Sequence, residues 1–203
     1  MNTLNRTLRV LCAAVLIAVI APSAVAKKLL EGITLDWKPT ITVSANAADI
    51  GASRGKKIQI GVFTDNRSNK RLIAENREDE KEGTVLPVTT DTDVPAWVGN
   101  HIADLLQQMG YTTVTTGGDY VLDGSVEKFF VLETDTYKAN VALHLRLANK
   151  NGDSLWDTTL NATQSRFGRS YQKDNYCELL SDALVNLTRT IATSADFRSA
   201  LTQ

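Results

Sequence analysis

The chain has 203 residues, with 22 Lys and Arg, 23 Asp and Glu and two His, for a net charge of −1. So even a balance supplies no clustered basic face for nucleic acid. Two cysteines, one of them in the leader described next, leave no pair to staple the fold.

MNTLNRTLR opens the chain with Arg6 and Arg9 and no acid, VLCAAVLIAVIA follows, and Pro22-Ser23-Ala24-Val25-Ala26 ends the segment. A basic start, a short apolar stretch and a small-x-small ending predict a secretory signal peptide over 1–26, cut between Ala26 and Lys27. About a dozen apolar residues fall short of the ~20 that span a bilayer as a helix. Cys12 precedes most of the apolar stretch and follows Leu11, so no lipidation site is seen. The mature chain is therefore expected in the periplasm, free of a lipid tether, with outer-membrane association left open. Removing 26 residues takes two basic residues and no acids, leaving 177 residues with a net charge of −3. That length suits one domain burying roughly 70% of its unfolded surface. Cys177 is then alone, and a lone Cys is most often an inert, buried one.

Residues 27–57 alternate weakly around Ile33, Leu35, Trp37, Ile41 and Val43 before Gly, Ala and Ser take over, which predicts an extended arm and connector. A single α+β domain is expected over 58–203. IQIGVFT (58–64) predicts a strand with Ile58, Ile60 and Val62 on one face. Residues 65–93, with the run ENREDEKE, read as a long polar loop. Asp93 is a natural N-cap with Pro95 in the first turn, opening a helix that runs to Met109 and stops at Gly110. YTTV (111–114) extends toward a turn at Gly117-Gly118.

From Tyr120 the period changes to two. Three long strands follow, the last two joined at Asn151-Gly152. Val141, Leu143, Leu145 and Leu147 share one face of the middle strand, and His144 and Arg146 the other. A second helix, capped by Asp174, carries a seam of Tyr176, Leu179, Leu180, Ala183, Leu184, Leu187 and Ile191, and Ser194 caps a short tail helix. The order strand, helix, three-strand meander, helix predicts a two-layer α+β sandwich. Its sheet is mainly antiparallel, with both helices on one oily face.

No HExxH, CxxC, G-x-S-x-G, P-loop or Gly-rich dinucleotide turn occurs, so neither a metal nor a cofactor is expected. His101 and His144 read as ordinary surface or boundary histidines. Asp123 and Glu127 share a strand face some 13 Å apart, beyond the spacing of paired glycosidase acids. The candidates for interaction are Phe129, His144 and Arg146, assigned to the polar sheet face together with Val131, and Asp65 and Arg67 at the end of the first strand. The last two are expected to pair and set how the loop leaves the sheet, with Arg67 alternatively presenting its fork to a partner's carboxylate or phosphate.

LDWKPTITV, the strand-ending DNR, the helix end QQMGY, YKANVALHLRLANKNGDSLW and a tail from Asn175 to DFRSAL together resemble the YajG family of bacterial envelope proteins, over most of 33–203. The family usually carries a lipidated cysteine, which this sequence replaces with an ordinary cleavage site. The resemblance implies an envelope protein with no established enzyme activity, and it supplies no catalytic residues to carry over. The expectation is a non-enzymatic periplasmic accessory protein that binds an envelope protein or membrane-associated component. The alternatives are a small-molecule or lipid carrier, such as an auxiliary component of an envelope transport system, and a hydrolase using dispersed carboxylates. No nucleic-acid partner and no membrane span in the mature chain are expected. The oligomeric state is left open.

Overall fold

The computed structural model describes residues 29–43, 53, 55–168 and 170–203. The expected signal peptide, its cleavage site and most of the connector lie outside the described residues. Among the described residues the fold is α+β, an open eight-stranded sheet with three α-helices. The spine is β6 (Tyr120–Glu133), which pairs antiparallel with β7 (Thr136–Asn149), and β7 pairs antiparallel with β8 (Ser154–Phe167). The other edge of β6 holds two shorter strands end to end, both parallel to it. β2 (Lys57–Asp65) lies along Tyr120–Val126 and β3 (Leu72–Asn76) along Val131–Glu133. β5 (Thr112–Val114) extends the sheet beyond β2, while β4 (Leu86–Thr90) and β1 (Leu30–Ile33) extend it beyond β3. Four of these seven pairings are parallel but short, and the long β6–β7 and β7–β8 ladders leave most of the paired residues antiparallel.

The helices form where the sequence places them. Asp93 accepts from the Ala96 amide at 3.1 Å and caps α1 (Val94–Gln108), while Gly110, at φ 95°, supplies the left-handed residue that ends it. Val94, Trp97, Val98, Ile102, Leu105 and Leu106 are its buried face. Gly99 lets the helix come close to β2, because an added Cβ would lie 3.0 Å from the Phe63 ring. In α2 (Lys173–Thr193) all seven seam residues are buried. α1 packs on β2 and β5, α2 packs on β7 and β8, and the two helices touch. Ser194 caps α3 (Ala195–Ala200), accepting from the Phe197 amide at 3.2 Å. Asp174 is not the cap of α2. It sits in the first turn, where its charge still suits the helix dipole, and pairs with Lys38 at 2.8 Å.

Two expectations fail for one reason. A bulge in β2 between Ile60 and Phe63 and another in β6 between Val126 and Lys128 each add a residue to one strand. An added residue reverses which side chains face inward beyond it. In β2 Phe63 turns under α1, and Val62 is left 74% exposed. In β6 Phe129 and Val131 become core, and Phe130 and Leu132 take the outer positions. The assignment of Phe129 and Val131 to the polar face is thereby corrected.

The 65–93 segment is not one long loop. β3 and β4 form an antiparallel hairpin inside it, burying Ile73, Ala74, Asn76 and Val88, and the tip that joins them, residues 77–85, is exposed from Glu80 onward and carries a 3-10 turn at Glu80–Glu82. Cys177 is fully buried, and burial pushes its thiol above the ordinary range. A thiol reagent in excess should therefore leave the native protein unmodified and titrate one thiol per mature chain only after denaturation. Rapid native labelling would contradict the packing of α2.

Candidate functional site

The stretch DNRSNK (65–70) bridges the gap between β2 and β3 along β6. Its centre is Arg67. The guanidinium donates through Nε to Asp65 Oδ1 at 2.9 Å and through Nη2 to Oδ2 at 2.8 Å. It also reaches the carbonyls of Lys70 (2.6 Å), Leu72 (3.3 Å) and Phe129 (3.5 Å), and lies 5.8 Å from the centre of the Phe129 ring. Both side chains of the pair are less than 10% exposed. Burial pushes the Asp65 carboxyl up, but the bonds and charge of Arg67 outweigh it and hold the group below its usual range. This is an internal latch between strand ends rather than a presented fork.

Phe129 continues the latch inward. Trp97 meets its ring edge-on at 5.6 Å, His101 packs against Trp97, and Trp37 from the arm stacks on His101 at 4.1 Å and 14°. Burial holds the His101 imidazole below its ordinary value, with Asp104, 4.0 Å away, opposing weakly.

Trp37 is held there because the arm is pinned to α2. Asp182, 4% exposed, accepts from the Thr40 amide (2.6 Å), the Thr40 hydroxyl (2.6 Å) and the Ile41 amide (3.2 Å), and Ser181 accepts from the Lys38 amide (3.1 Å). Lys173 pairs with Asp36 at 2.8 Å. Sequence reasoning missed this clamp, although Ser181-Asp182 interrupts an apolar run and signals a buried partner. Asp182→Ala should free the arm at a cost of about 1–3 kcal/mol, because charge-assisted bonds are lost to groups that water can reach once released. Hydrogen exchange at Thr40 and Ile41 should rise at least tenfold with a red shift of Trp37 emission. Unchanged exchange would remove Asp182 as the anchor.

A third buried carboxylate was also missed. Glu133, fully buried at the end of β6, accepts from the amides of Ser170 (2.9 Å) and Tyr171 (3.1 Å) and from the Tyr176 hydroxyl. Burial pushes its carboxyl up, and these donors together with Tyr137 bring it below its usual range. Tyr171, at φ 41°, stands in the left-handed region and uses its hydroxyl to accept from Leu30 N and donate to Pro87 O.

The remaining candidates occupy a different surface. On the outer side of β6–β8, His144 lies 3.6 Å from Asp157 and Arg146 lies 3.8 Å from Asp123, while Arg146 Nη2 donates to Gly152 O at 2.7 Å. Glu127 accepts from Asn66 Nδ2 at 2.9 Å and from the Ser125 hydroxyl. The five sequence candidates thus divide. Asp65, Arg67 and Phe129 converge in the interior, and His144 and Arg146 stand in a half-exposed charge ladder whose pairs are worth about 0–1 kcal/mol each. At the far end of the same surface a hollow of about 550 Å³ has Phe130, Leu132, Asn140 and Thr163 in its walls and Lys128 and Lys138 at its rim. Neither lysine has a carboxylate partner among the described residues. Among those residues there is also no group of three or more His, Cys, Asp or Glu side chains that could hold a metal ion.

No protein-family model matches the chain, and neither does any curated protein. Solved structures do. A Xanthomonas campestris protein described by the family model DUF330 superposes with a TM-score of 0.56 at 14% identity, covering 80% of this chain and 95% of that one. The likeness is one of fold. A minor lipoprotein from Acinetobacter baumannii (TM-score 0.38, 13% identity, 68% of this chain and 92% of that one) and a PelC dodecamer from Paraburkholderia phytofirmans (0.38, 15%, 67% and 89%) match less of the geometry. No described helix is long and apolar enough to cross a membrane.

Proposed function

We propose that this chain is a non-enzymatic accessory protein of the bacterial envelope, exported to the periplasm, which acts by binding a protein or another envelope component. In this reading α1 and α2 roof one face of the sheet as a two-layer unit, and the rest of the sheet is left for partners. One observation carries it. The buried carboxylates are each occupied by several donors, Asp65 by the Arg67 side chain and amide two residues on, and Glu133 and Asp182 by groups from distant parts of the chain, so each serves as a structural tie rather than a free acid or base. The YajG-like order of motifs and the fold shared with the DUF330 protein support the same reading.

Photo-crosslinking residues placed at Val62, Asp157 and Asn161 test it in intact cells, because all three side chains are exposed. A discrete envelope partner captured from at least one position is the expected result. Silence from all three would count against the binding role.

A carrier role is the second reading, favoured by the hollow under Lys128 and Lys138, where an apolar wall and unpaired cations suit an anionic amphiphile. Native mass spectrometry of the protein as purified should then show a bound ligand that Lys128→Glu removes.

A further inference from the structure

β6 shows how this sheet uses a long strand, by seating two shorter ones end to end along one edge. β2 offers its own outer edge in the same way but has only the first place filled. β5 pairs with Lys57, Ile58 and Gln59 and then ends at Val114. From Ile60 to Asp65, among the described residues, no strand pairs with β2 on that side, although the segment keeps strand geometry through its pairing with β6. Six residues of strand span about 17–20 Å.

The empty place is a groove of about 670 Å³ between this edge and α1. Val62 and Phe63 form its strand side, and Ala96, Gly99 and Ala103 keep the helix side shallow enough to admit a backbone. Asp93 and Asp104 both line it, and among the described residues no lysine or arginine does. Asp93 is partly used by its bond to the Ala96 amide, whereas the Asp104 side chain is 66% exposed, with His101 at 4.0 Å its ion-pair partner among the described residues.

We propose that this groove receives an extended, lysine- or arginine-bearing segment of a partner protein, which adds to the sheet as a strand beside β2. Unpaired main-chain groups along an edge recognise backbone, and the two acids select the charge of the side chains that come with it. The acids also argue against a second copy of this chain as the occupant, since edge-to-edge pairing would bring Asp93 and Asp104 of both copies into one groove. The proposal deepens the binding reading above and rests on it.

The probe is an acetylated and amidated octapeptide of alternating Val and Lys, titrated into the isotopically labelled protein. Saturable amide shifts are expected over Ile60–Asp65 and Gly99–Asp104. N-methylating alternate peptide amides should abolish binding in one phase and spare it in the other, because a strand pairs through every second N–H. Replacing Lys by Glu in the peptide, or Asp104→Lys in the protein, should each weaken binding about tenfold or more, and the two changes together should restore it. Shifts confined to β6–β8, equal binding by both N-methylated peptides, or concentration-dependent dimers abolished by Asp104→Lys would overturn it. If Asp157 or Asn161 captures a partner in cells while Val62 stays silent and no peptide binds, the edge assignment falls and the binding role stands.

Discussion

Glu133→Ala should cost about 3–5 kcal/mol of folding stability, since the amides of Ser170 and Tyr171 and the Tyr176 hydroxyl would lose a fully buried acceptor, and a cavity would remain. The loss would not stay local. Ser170 and Tyr171 lead into α2, and the Tyr171 hydroxyl ties β1 to β4 through Leu30 and Pro87, so one carboxylate fastens three parts of the sheet to a helix. Glu133→Gln keeps the volume and one acceptor oxygen, and should cost about 1–3 kcal/mol, the worth of charge assistance in bonds of this kind. Acid separates the two effects. The folded pKa of Glu133 lies below its unfolded value of about 4.3, so its contribution is complete above that pH and is lost as the pH falls through the folded value. Urea melts at pH 7 and pH 3 should therefore show the deficit of Glu133→Gln shrinking in acid. A deficit independent of pH would mean that the side chain acts through packing alone.

The parts of this fold that were legible in the sequence are those where a pattern runs long enough to average out its exceptions. α1 shows six apolar positions at helical spacing between a capping aspartate and a glycine, and β7 alternates without a break from Val141 to Leu147. β3 and β4 are five residues each, too short to establish a period, and Pro87 argues against a strand until β4 is seen to use its carbonyl for Tyr171. The bulges mattered more for the candidate site, because one inserted residue exchanges Phe129 with Phe130. Gly61 inside a strand was the available hint in β2. In β6, Glu127-Lys128 placed two charges in succession where alternation allows one. Glu133 gave no such hint, since an acid before Thr-Asp-Thr reads as the start of a turn. The interaction that pins it joins residues 37 and 38 positions apart.

Arg67→Ala should melt early, with a loss of about 3–5 kcal/mol, because it strands the buried Asp65 carboxylate and takes the donor from three carbonyls, that of Phe129 in the interior. An exposed pair of the same composition would cost less than 1 kcal/mol, so the magnitude itself reports the burial. Arg67→Lys should recover only part of the loss, since an ammonium cannot span both oxygens of Asp65 while it reaches Lys70 and Leu72. Removing both charges is the informative variant. Asp65→Leu with Arg67→Met replaces the pair by apolar side chains of similar reach, and it should be more stable than either single charge deletion. Hydrogen exchange should localise the damage, with Leu72–Asn76 opening before β7, because β3 joins β6 immediately beyond the latch and contributes only a short register to it. If Arg67→Ala leaves melting unchanged and instead abolishes crosslinking to a partner, the guanidinium faces outward in the working protein and the latch is not what holds the two strands in line.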